Sequence, residues 1–269
     1  MDIPILLYHS VCEKSATRFS KWTVSPEVFA EHLAYIKDNG YLPMTITQLA
    51  KAIQNPANNL PARAIGITFD DGFEDFYYKA MPILTRFNFP ATIYITTAYV
   101  GRTSRWLQHY GEGQRRMLDW WQIDELAHGG VEVGAHTLHH HQLDTVSRQV
   151  AFEEISGSKK MLENRLGNTV CTFAYPHGYH NPEIRDLVKR AGFTSACAVK
   201  HGLSSLKDDP FALARIIVTR NTSTAILANL LKGIGLEKVT QKERFRTTGW
   251  RVLRQIQNWF SFWLNGHKG

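Results

Sequence analysis

Cysteine is scarce in this sequence, which argues against one large class of small folds. Only Cys12, Cys171 and Cys197 are present among 269 residues, and no two of them form a Cys-x-x-Cys pair. A small, odd number of cysteines without that spacing indicates neither a disulfide framework nor a cysteine-rich zinc module. We therefore expect reduced thiols and a core built from apolar side chains, which make up 43% of the chain.

Long apolar runs are also missing. No stretch approaches the roughly 18–20 apolar residues that a membrane-spanning helix needs. Asp2 stands where a secretory signal would carry basic residues, and the apolar run that follows it is too short for such a signal. The sequence therefore predicts a cytoplasmic protein with neither a signal peptide nor a transmembrane helix.

Acidic residues are fewer than basic ones, and the imbalance lies at one end of the chain. The formal net charge is +7, and from Leu231 onward eight Lys or Arg face two Glu, which leaves about +1 for the rest. A nucleic-acid-binding protein would carry a basic surface together with a recognisable motif. The body of the chain has neither, so we expect no nucleic-acid partner.

Strand-like and helix-like segments alternate along the chain. This alternation is typical of a mostly parallel sheet that is covered by helices. About seven strands in one domain favour closure into a barrel over an open sheet, so the predicted fold class is α/β. The strand-like runs cover residues 3–8, 64–69, 91–96, 131–135, 169–175, 194–199 and 214–219.

Three of the intervening helices have recognisable ends. Ser25-Pro26 and Asn181-Pro182 each place a capping side chain before a proline at the first helical position. A third helix runs from about Ser147 and is closed by Gly167. We divide the chain into an α/β domain, residues 1–222, and a C-terminal helical extension, residues 223–269.

The extension has a basic amphipathic pattern. Arg251 and Arg254 lie among large apolar residues at helical spacing: Val252, Leu253, Ile256, Trp259, Phe260, Trp263 and Leu264. One interpretation is a C-terminal helix packed on the barrel. The other is a helix lying in a membrane interface, where Trp and Arg are favoured, which would give peripheral contact with the inner membrane face. The sequence leaves both open.

Two adjacent acids follow the second strand. In ITFDDGF, Asp70 and Asp71 come directly after an apolar run, and Gly72 makes the turn. An Asp-Gly turn is common without any function. Neighbouring side chains on an extended chain point to opposite sides, however. One carboxylate can therefore bind a metal while the other handles a proton.

A histidine cluster follows a later strand, in VEVGAHTLHHHQL. His136 and His140 are four residues apart, so both lie on one face if the segment turns helically. Two imidazoles and the Asp71 carboxylate match a catalytic metal site that keeps positions open for water and substrate. A solvated histidine-rich loop is the alternative.

Further polar residues lie at strand ends. His9 follows ILLY and His177 follows FAYP, whereas Arg215 begins a strand, either at a sheet edge or as an orienter of a carboxylate. Ligands bind at the carboxyl ends of the strands in parallel α/β proteins. We therefore expect His9 and His177 on the same side of the sheet as the paired acids.

The segments TFDDG, HTLHH, FAYPHG and LARIIV, in this order, resemble the polysaccharide deacetylase family, also called the NodB-homology family or family 4 carbohydrate esterases. The similarity extends from about Ile3 to Arg220. It implies a NodB-like distorted (β/α) barrel over residues 1–222 and an enzyme that hydrolyses N-acetyl groups of amino sugars. It also implies a divalent metal, usually Zn²⁺, with Co²⁺, Ni²⁺ or Mn²⁺ as other candidates.

The same resemblance implies roles for the polar residues. Asp70 is the general base, and Asp71, His136 and His140 are the metal ligands. The substrate is an N-acetylated glycan or glycolipid of the N-acetylglucosamine type, either a polysaccharide or a lipid-linked sugar. Two alternatives stay open: a hydrolase of a small non-sugar amide on the same scaffold, and a non-catalytic carbohydrate-binding relative.

The sequence departs from the family pattern at one motif. Family members carry an Arg-x-Pro-aromatic motif whose arginine braces the base, but here Ala174 replaces the arginine and His177 replaces the aromatic residue. Arg215 is the candidate that supplies the missing positive charge. Tyr175, Pro176 and His177 are candidates for binding or orienting the substrate.

The proton donor is expected at the front of the chain. Most family members end with an I-x-L-x-H segment whose histidine is the general acid, and no such segment follows Arg220. Ile5, Leu7 and His9 fit that pattern instead, which resembles the circularly permuted biofilm-polysaccharide deacetylases. This arrangement predicts that His9 shares a pocket with Asp70.

Overall fold

Residues 1–55 and 60–236 are described by the computed structural model. Within these ranges the chain forms twelve strands. They are β1 (Asp2–Ile3), β2 (Ile5–Tyr8), β3 (Ser10–Val11), β4 (Thr23–Val24), β5 (Leu42–Met44), β6 (Ala64–Phe69), β7 (Thr92–Ile95), β8 (Glu132–Ala135), β9 (Thr172–Ala174), β10 (Ser195–Cys197), β11 (Ser204–Ser205) and β12 (Ile216–Ile217).

Seven of these strands form a curled, wholly parallel sheet in the order β10-β9-β8-β7-β6-β2-β12. The two end strands approach each other, because Cys197 makes a parallel bridge with Leu213, just before β12. The N–H of Ala198 donates to the carbonyl of Leu213 at 2.9 Å in the same place. The predicted distorted barrel of about seven parallel strands is confirmed.

The helices cover the outside of this sheet. They are α1 (Pro26–Asp38), α2 (Ile46–Gln54), α3 (Met81–Phe87), α4 (Trp120–His128), α5 (Arg148–Leu166), α6 (Pro182–Arg190) and α7 (Thr224–Leu231). A π-helical turn, Phe76–Ala80, leads into α3, and five short 3-10 helices cover Ser20–Trp22, Thr97–Tyr99, Arg105–Tyr110, Leu143–Thr145 and Pro176–Gly178.

The helix ends follow the predicted signals. The side chains of Ser25, Ser147 and Asn181 each accept the backbone N–H three residues further on, which satisfies a donor that the first turn leaves unpaired. Gly167 ends α5 with φ +68°, a conformation that a side chain would oppose. Local chemistry therefore sets these boundaries.

Five short strands were not predicted from the sequence. β1, β3, β4, β5 and β11 have two or three residues each, too few to show a period. β5 pairs in parallel with the start of β6, outside the seven-stranded path. The other four form two separate two-stranded sheets, β1 with β11 and β3 with β4.

Late in the described chain, α7 packs through Leu227, Leu230 and Leu231 against the same core as the barrel helices. Among the described residues, no helix is both long enough and apolar enough to cross a membrane. The amphipathic segment at residues 251–264, with its predicted membrane contact, lies outside the described residues.

Candidate active site

A cleft of about 240 Å³ lies where the parallel strands end. The chain delivers polar groups to it directly after β2, β6 and β8, and from the turn after β9. The lining residues are His9, Phe19, Trp22, Asp70, Asp71, Leu107, Tyr110, His136, His140, His177, Tyr179 and Val199. The structure thus brings together residues that are far apart in sequence.

Three of these side chains converge on one point. Asp71 Oδ1 lies 3.2 Å from His140 Nε2 and 3.5 Å from His136 Nε2. One ligand atom from each residue lies within 4.8 Å of the others. Asp71 Oδ1 is buried, and no hydrogen bond of normal geometry satisfies it. A buried carboxylate oxygen facing two imidazole nitrogens fits a divalent cation of the Zn²⁺ type.

The backbone at Asp71 explains why the paired acids diverge. The sequence predicted an extended chain here, but Asp71 has φ +76° and Gly72 has φ +86°. These left-handed values turn the chain sharply after β6, so Asp71 faces the histidines while Asp70 faces Arg215. A Cβ on Gly72 would lie 3.1 Å from Ile95 Cδ1, so the turn has little room for a side chain.

The loop that carries the two histidines is not helical, so the condition under which their four-residue spacing would place them on one helix face does not hold. Thr137 and His140 have φ values of +67° and +62°, and β8 ends at Ala135. The imidazoles of His136 and His140 still meet, with ring centroids 4.9 Å apart. A loop with two left-handed residues, rather than one helix face, brings them together.

His136 is oriented by a second hydrogen bond. Its Nδ1 lies 2.8 Å from the carbonyl oxygen of Ala174, which makes Nδ1 the donor and leaves Nε2 with a lone pair that a metal could bind. Burial lowers the pKa of His136 to about 4, so the ring is neutral at neutral pH. Although burial opposes ionisation of Asp71, the neighbouring His140 holds the pKa of that carboxyl below its usual range. Both groups are therefore in the protonation state that a metal requires.

We expect His136 to make the stability of the metal-free protein depend on pH. Its pKa is about 4 in the folded chain and about 6.5 in an unfolded one. The unfolded state therefore binds more protons between these values, and the free energy of unfolding falls as the pH is lowered through them. The expected loss is roughly 1–2 kcal/mol between pH values near 7 and near 5.

Urea unfolding with a chelator present would measure this loss. His136→Asn keeps a donor for Ala174 but cannot titrate, so its stability should change less between the two pH values. If the free energy of unfolding changed equally in the variant and the wild type, the pH dependence would not come from His136.

Asp70 is held by a buried arginine. Arg215, which is fully buried, donates from Nη1 to Oδ1 at 2.6 Å and from Nη2 to Oδ2 at 2.7 Å. Its remaining donors reach Thr68 Oγ1 at 3.2 Å and the carbonyl of Ala198 at 3.0 Å. Although burial opposes ionisation of Asp70, the guanidinium lowers the pKa of that carboxyl. Arg215 therefore lies where the sequence analysis expected a positive charge, and it holds the Asp70 carboxylate through both oxygens.

Breaking this pair is expected to destabilise the protein. Arg215→Met leaves the Asp70 carboxylate buried without its partner, which typically costs about 3–5 kcal/mol. Arg215→Lys keeps a positive charge but loses the two-pronged contact, so we expect a smaller loss of stability. Urea unfolding of both variants at neutral pH tests this order, and equal losses would contradict it.

His9 lies in the same cleft, as the front-strand arrangement predicts. Its ring contacts Trp22, with centroids 5.1 Å apart, and no described group hydrogen-bonds to its buried Nδ1. Desolvation lowers the pKa of His9 by more than the carboxylates of Asp71 and Asp70 raise it. β2 pairs with both β6 and β12, so the first strand of the barrel carries His9 beside Asp70.

The three candidates that follow β9 occupy different positions. His177 stands at the mouth of the cleft, with its ring 4.8 Å from that of His140. Tyr175 is fully buried and donates its hydroxyl to the carbonyl of Phe211 at 2.9 Å. Pro176 is buried as well. Of these three residues, only His177 lines the cleft, and Tyr175 and Pro176 are buried away from its surface.

Part of the apolar wall of the cleft, Phe19 and Trp22, was not identified from the sequence. Phe19 and Trp22 come from the segment between β3 and β4, and Leu107 and Tyr110 come from a 3-10 helix in the long segment after β7. In the same helix, Trp106 stacks on His140 with centroids 5.3 Å apart. Long segments at the carboxyl ends of barrel strands often line sites, and that was the available signal.

A family model described as polysaccharide deacetylase matches residues 57–196, just over half of the chain. The chain belongs to the polysaccharide deacetylase family. This match confirms the family resemblance found in the sequence. It also confirms the predicted enzyme class, a carbohydrate N-deacetylase.

Individual members of the family are similar over different lengths. YxkH of Bacillus subtilis (strain 168) is 28% identical over 222 residues, 82% of this chain and 73% of that protein. The poly-beta-1,6-N-acetyl-D-glucosamine N-deacetylase of Escherichia coli (strain K12) is 30% identical over 139 residues, 50% of this chain and 20% of that protein. The Streptococcus pyogenes deacetylase PplD in complex with acetate superposes with a TM-score of 0.74 at 28% identity, covering 86% of this chain and 98% of that one.

Proposed function

We propose that this polysaccharide deacetylase is a metal-dependent hydrolase that removes N-acetyl groups from an N-acetylglucosamine-type glycan. One observation carries the proposal: the side chains of Asp71, His136 and His140 converge in a single cleft that also holds a carboxylate paired with a buried arginine and a separate imidazole. Each of these parts can serve a step of amide hydrolysis, in which water must be activated, the carbonyl polarised and the departing amine protonated.

Asp71, His136 and His140 would hold the metal. Their two nitrogens and one oxygen suit Zn²⁺ best, with Co²⁺, Ni²⁺ and Mn²⁺ as other candidates. A cation bound there would supply Lewis acidity, which polarises a carbonyl and lowers the pKa of water.

Asp70 would act as the general base. Arg215 keeps its carboxylate ionised and fixes its orientation through both oxygens, and each oxygen retains another acceptor site. The carboxylate can therefore accept a proton from the attacking water without first having to reorient. A fixed geometry of this kind is a large part of acid–base efficiency.

His9 would act as the general acid. An amine is a poor leaving group unless its nitrogen is protonated as the C–N bond breaks, and a protonated His9 can supply that proton. Desolvation lowers the pKa of His9, which makes its imidazolium a stronger acid. Asp70 and His9 both line the cleft, so the base and the acid of the reaction would be two different side chains.

The substrate class is supported by the relatives and by the walls of the cleft. The similar Escherichia coli protein is named for deacetylation of poly-beta-1,6-N-acetyl-D-glucosamine. Trp22, Tyr110 and Tyr179 line the cleft and offer rigid amphipathic surfaces for a sugar ring. A small non-sugar amide would leave these walls unused, and a binding protein without activity would have no need of the paired Asp70 and Arg215.

Product analysis tests the proposal. The zinc-loaded protein would be incubated with β-1,6-linked and β-1,4-linked N-acetylglucosamine oligomers, and with small non-sugar amides as the comparison. Mass spectrometry should show loss of acetyl groups from at least one glycan, with acetate released in equal amount. Hydrolysis of the small amides alone would instead favour the rival function.

Removing one ligand is expected to remove the metal. His140→Ala leaves two ligands in place of three, so the purified variant should retain much less zinc than the wild type, and its acetate release should fall with the zinc content. His128→Ala is the matched control, because His128 is exposed at the end of α4, outside both the triad and the cleft. Elemental analysis checks both variants, and equal zinc in all three proteins would contradict the ligand assignment.

A further inference from the structure

Glu154 lies on α5, outside the cleft, and only 4% of it is exposed. Its carboxylate nevertheless contacts the ligand loop, residues 136–141. Oε2 accepts the backbone N–H of His139 at 2.8 Å, and Oε1 lies 2.7 Å from His139 Nδ1. Oε1 also lies 3.4 Å from His141 Nδ1. One buried carboxylate thus contacts the residues on both sides of His140.

The ligand loop needs anchoring because its backbone is unusual. Thr137 and His140 are non-glycine residues with positive φ, and such conformations persist only where the surroundings fix them. Bonds from the N–H groups of Thr97 and Ala98 to the carbonyls of Thr137 and Leu138 hold the first half of the loop. Glu154 holds the second half, which contains His140.

A second contact from the same helix supports the loop. A Cβ built on Gly157, three residues after Glu154, would lie 2.8 Å from Leu138 Cδ1. The absence of a side chain at Gly157 therefore lets Leu138 pack closely against α5. Polar and apolar contacts from α5 act on the ligand loop together.

These contacts separate the four histidines into two pairs. His139 and His141 stack on each other with centroids 5.7 Å apart, and each is about half exposed. His136 and His140 face Asp71 instead. Glu154 fixes the backbone of His139 by accepting its N–H. The position of the next residue, His140, is therefore also fixed, and its positive φ turns its imidazole toward Asp71 and His136.

We propose that Glu154 is a positioning residue for the metal site: it holds the ligand loop so that His140 presents Nε2 to the cation. This role rests on the proposed metal site. Groups that orient ligands without touching the metal typically change its affinity by 10–100-fold when they are replaced. We expect an effect of that size from Glu154, although it lies outside the cleft.

Zinc affinity tests this role with two matched variants. Glu154→Gln keeps the shape of the side chain but puts an NH₂ group where one oxygen accepts a bond. Glu153→Gln makes the same change one residue away, on an exposed side chain whose carboxylate accepts a bond from Gln149 of the same helix. Competition with a colorimetric chelator should show zinc binding that is about 10–100-fold weaker in Glu154→Gln, and unchanged binding in Glu153→Gln.

Two further measurements separate positioning from general destabilisation. Acetate release by Glu154→Gln should recover as zinc is raised to saturation, which would not happen if the variant had simply unfolded. Gly157→Ala, which pushes Leu138 without altering any polar group, should also weaken zinc binding. Unchanged zinc affinity in Glu154→Gln would overturn the role of Glu154 alone, whereas wild-type protein that bound no zinc would overturn the metal site as well.

Discussion

Asp70→Asn is expected to lower kcat by about 10²–10⁴-fold, the range typical of a lost general base. The asparagine amide fits the same space but cannot take a proton from water. Its oxygen can still accept one bond from Arg215, so substrate binding should change little and KM should stay near the wild-type value. Steady-state acetate release from an N-acetylglucosamine oligomer measures both parameters.

The control for this variant must account for stability. Arg215 is fully buried, and a buried charge left without its partner typically costs about 3–5 kcal/mol. Asp75→Asn makes the same change at another carboxylate that is paired with an arginine, Arg115, whose side chain is only 11% exposed, outside the triad. We expect both variants to lose stability and only Asp70→Asn to lose turnover. A similar fall in kcat in both would show that the loss comes from the fold.

His9→Gln is expected to lower acetate release from an amide by about 10²–10³-fold, because the departing amine then lacks a proton donor. An aryl acetate ester has a leaving group that departs without a proton. Hydrolysis of such an ester by His9→Gln should therefore stay close to the wild-type rate.

The ratio of amide to ester hydrolysis identifies the step that His9 serves. Asp70→Asn should slow both reactions, since both need an activated water, and it serves as the comparison. If His9→Gln slowed the ester as much as the amide, His9 would be acting on water attack or on the shape of the site, and the proton-donor role would be wrong.

The sequence was sufficient for the barrel and for most polar residues at its mouth. Each of the seven strands of the parallel sheet lies in an apolar run of the sequence. Such runs need helices to cover them, so β2, β6 and β8 could be recognised without a structure. The polar residues that follow them fall at one edge, because parallel strands all end there. This rule alone placed His9, Asp71 and His136 on the same side.

Other features depend on backbone conformation and long-range contacts that residue spacing does not encode. The four-residue spacing of His136 and His140 suggested a helix, but φ +67° at Thr137 and φ +62° at His140 make a loop. The contact between Glu154 and the ligand loop requires the position of α5 relative to β8, which periodicity does not give. Phe19 and Trp22 lie in a segment with little regular structure, so no pattern indicated their place in the cleft.

Zinc titration of the metal-stripped protein tests the central claim most directly. Acetate release from an N-acetylglucosamine oligomer would be followed as zinc is added in known ratios to the chain. The proposed triad predicts negligible release without metal, a rise in proportion to added zinc, and a plateau at one zinc per chain. Full activity in the metal-stripped protein, or no acetate at any zinc ratio from any N-acetylated glycan, would contradict it.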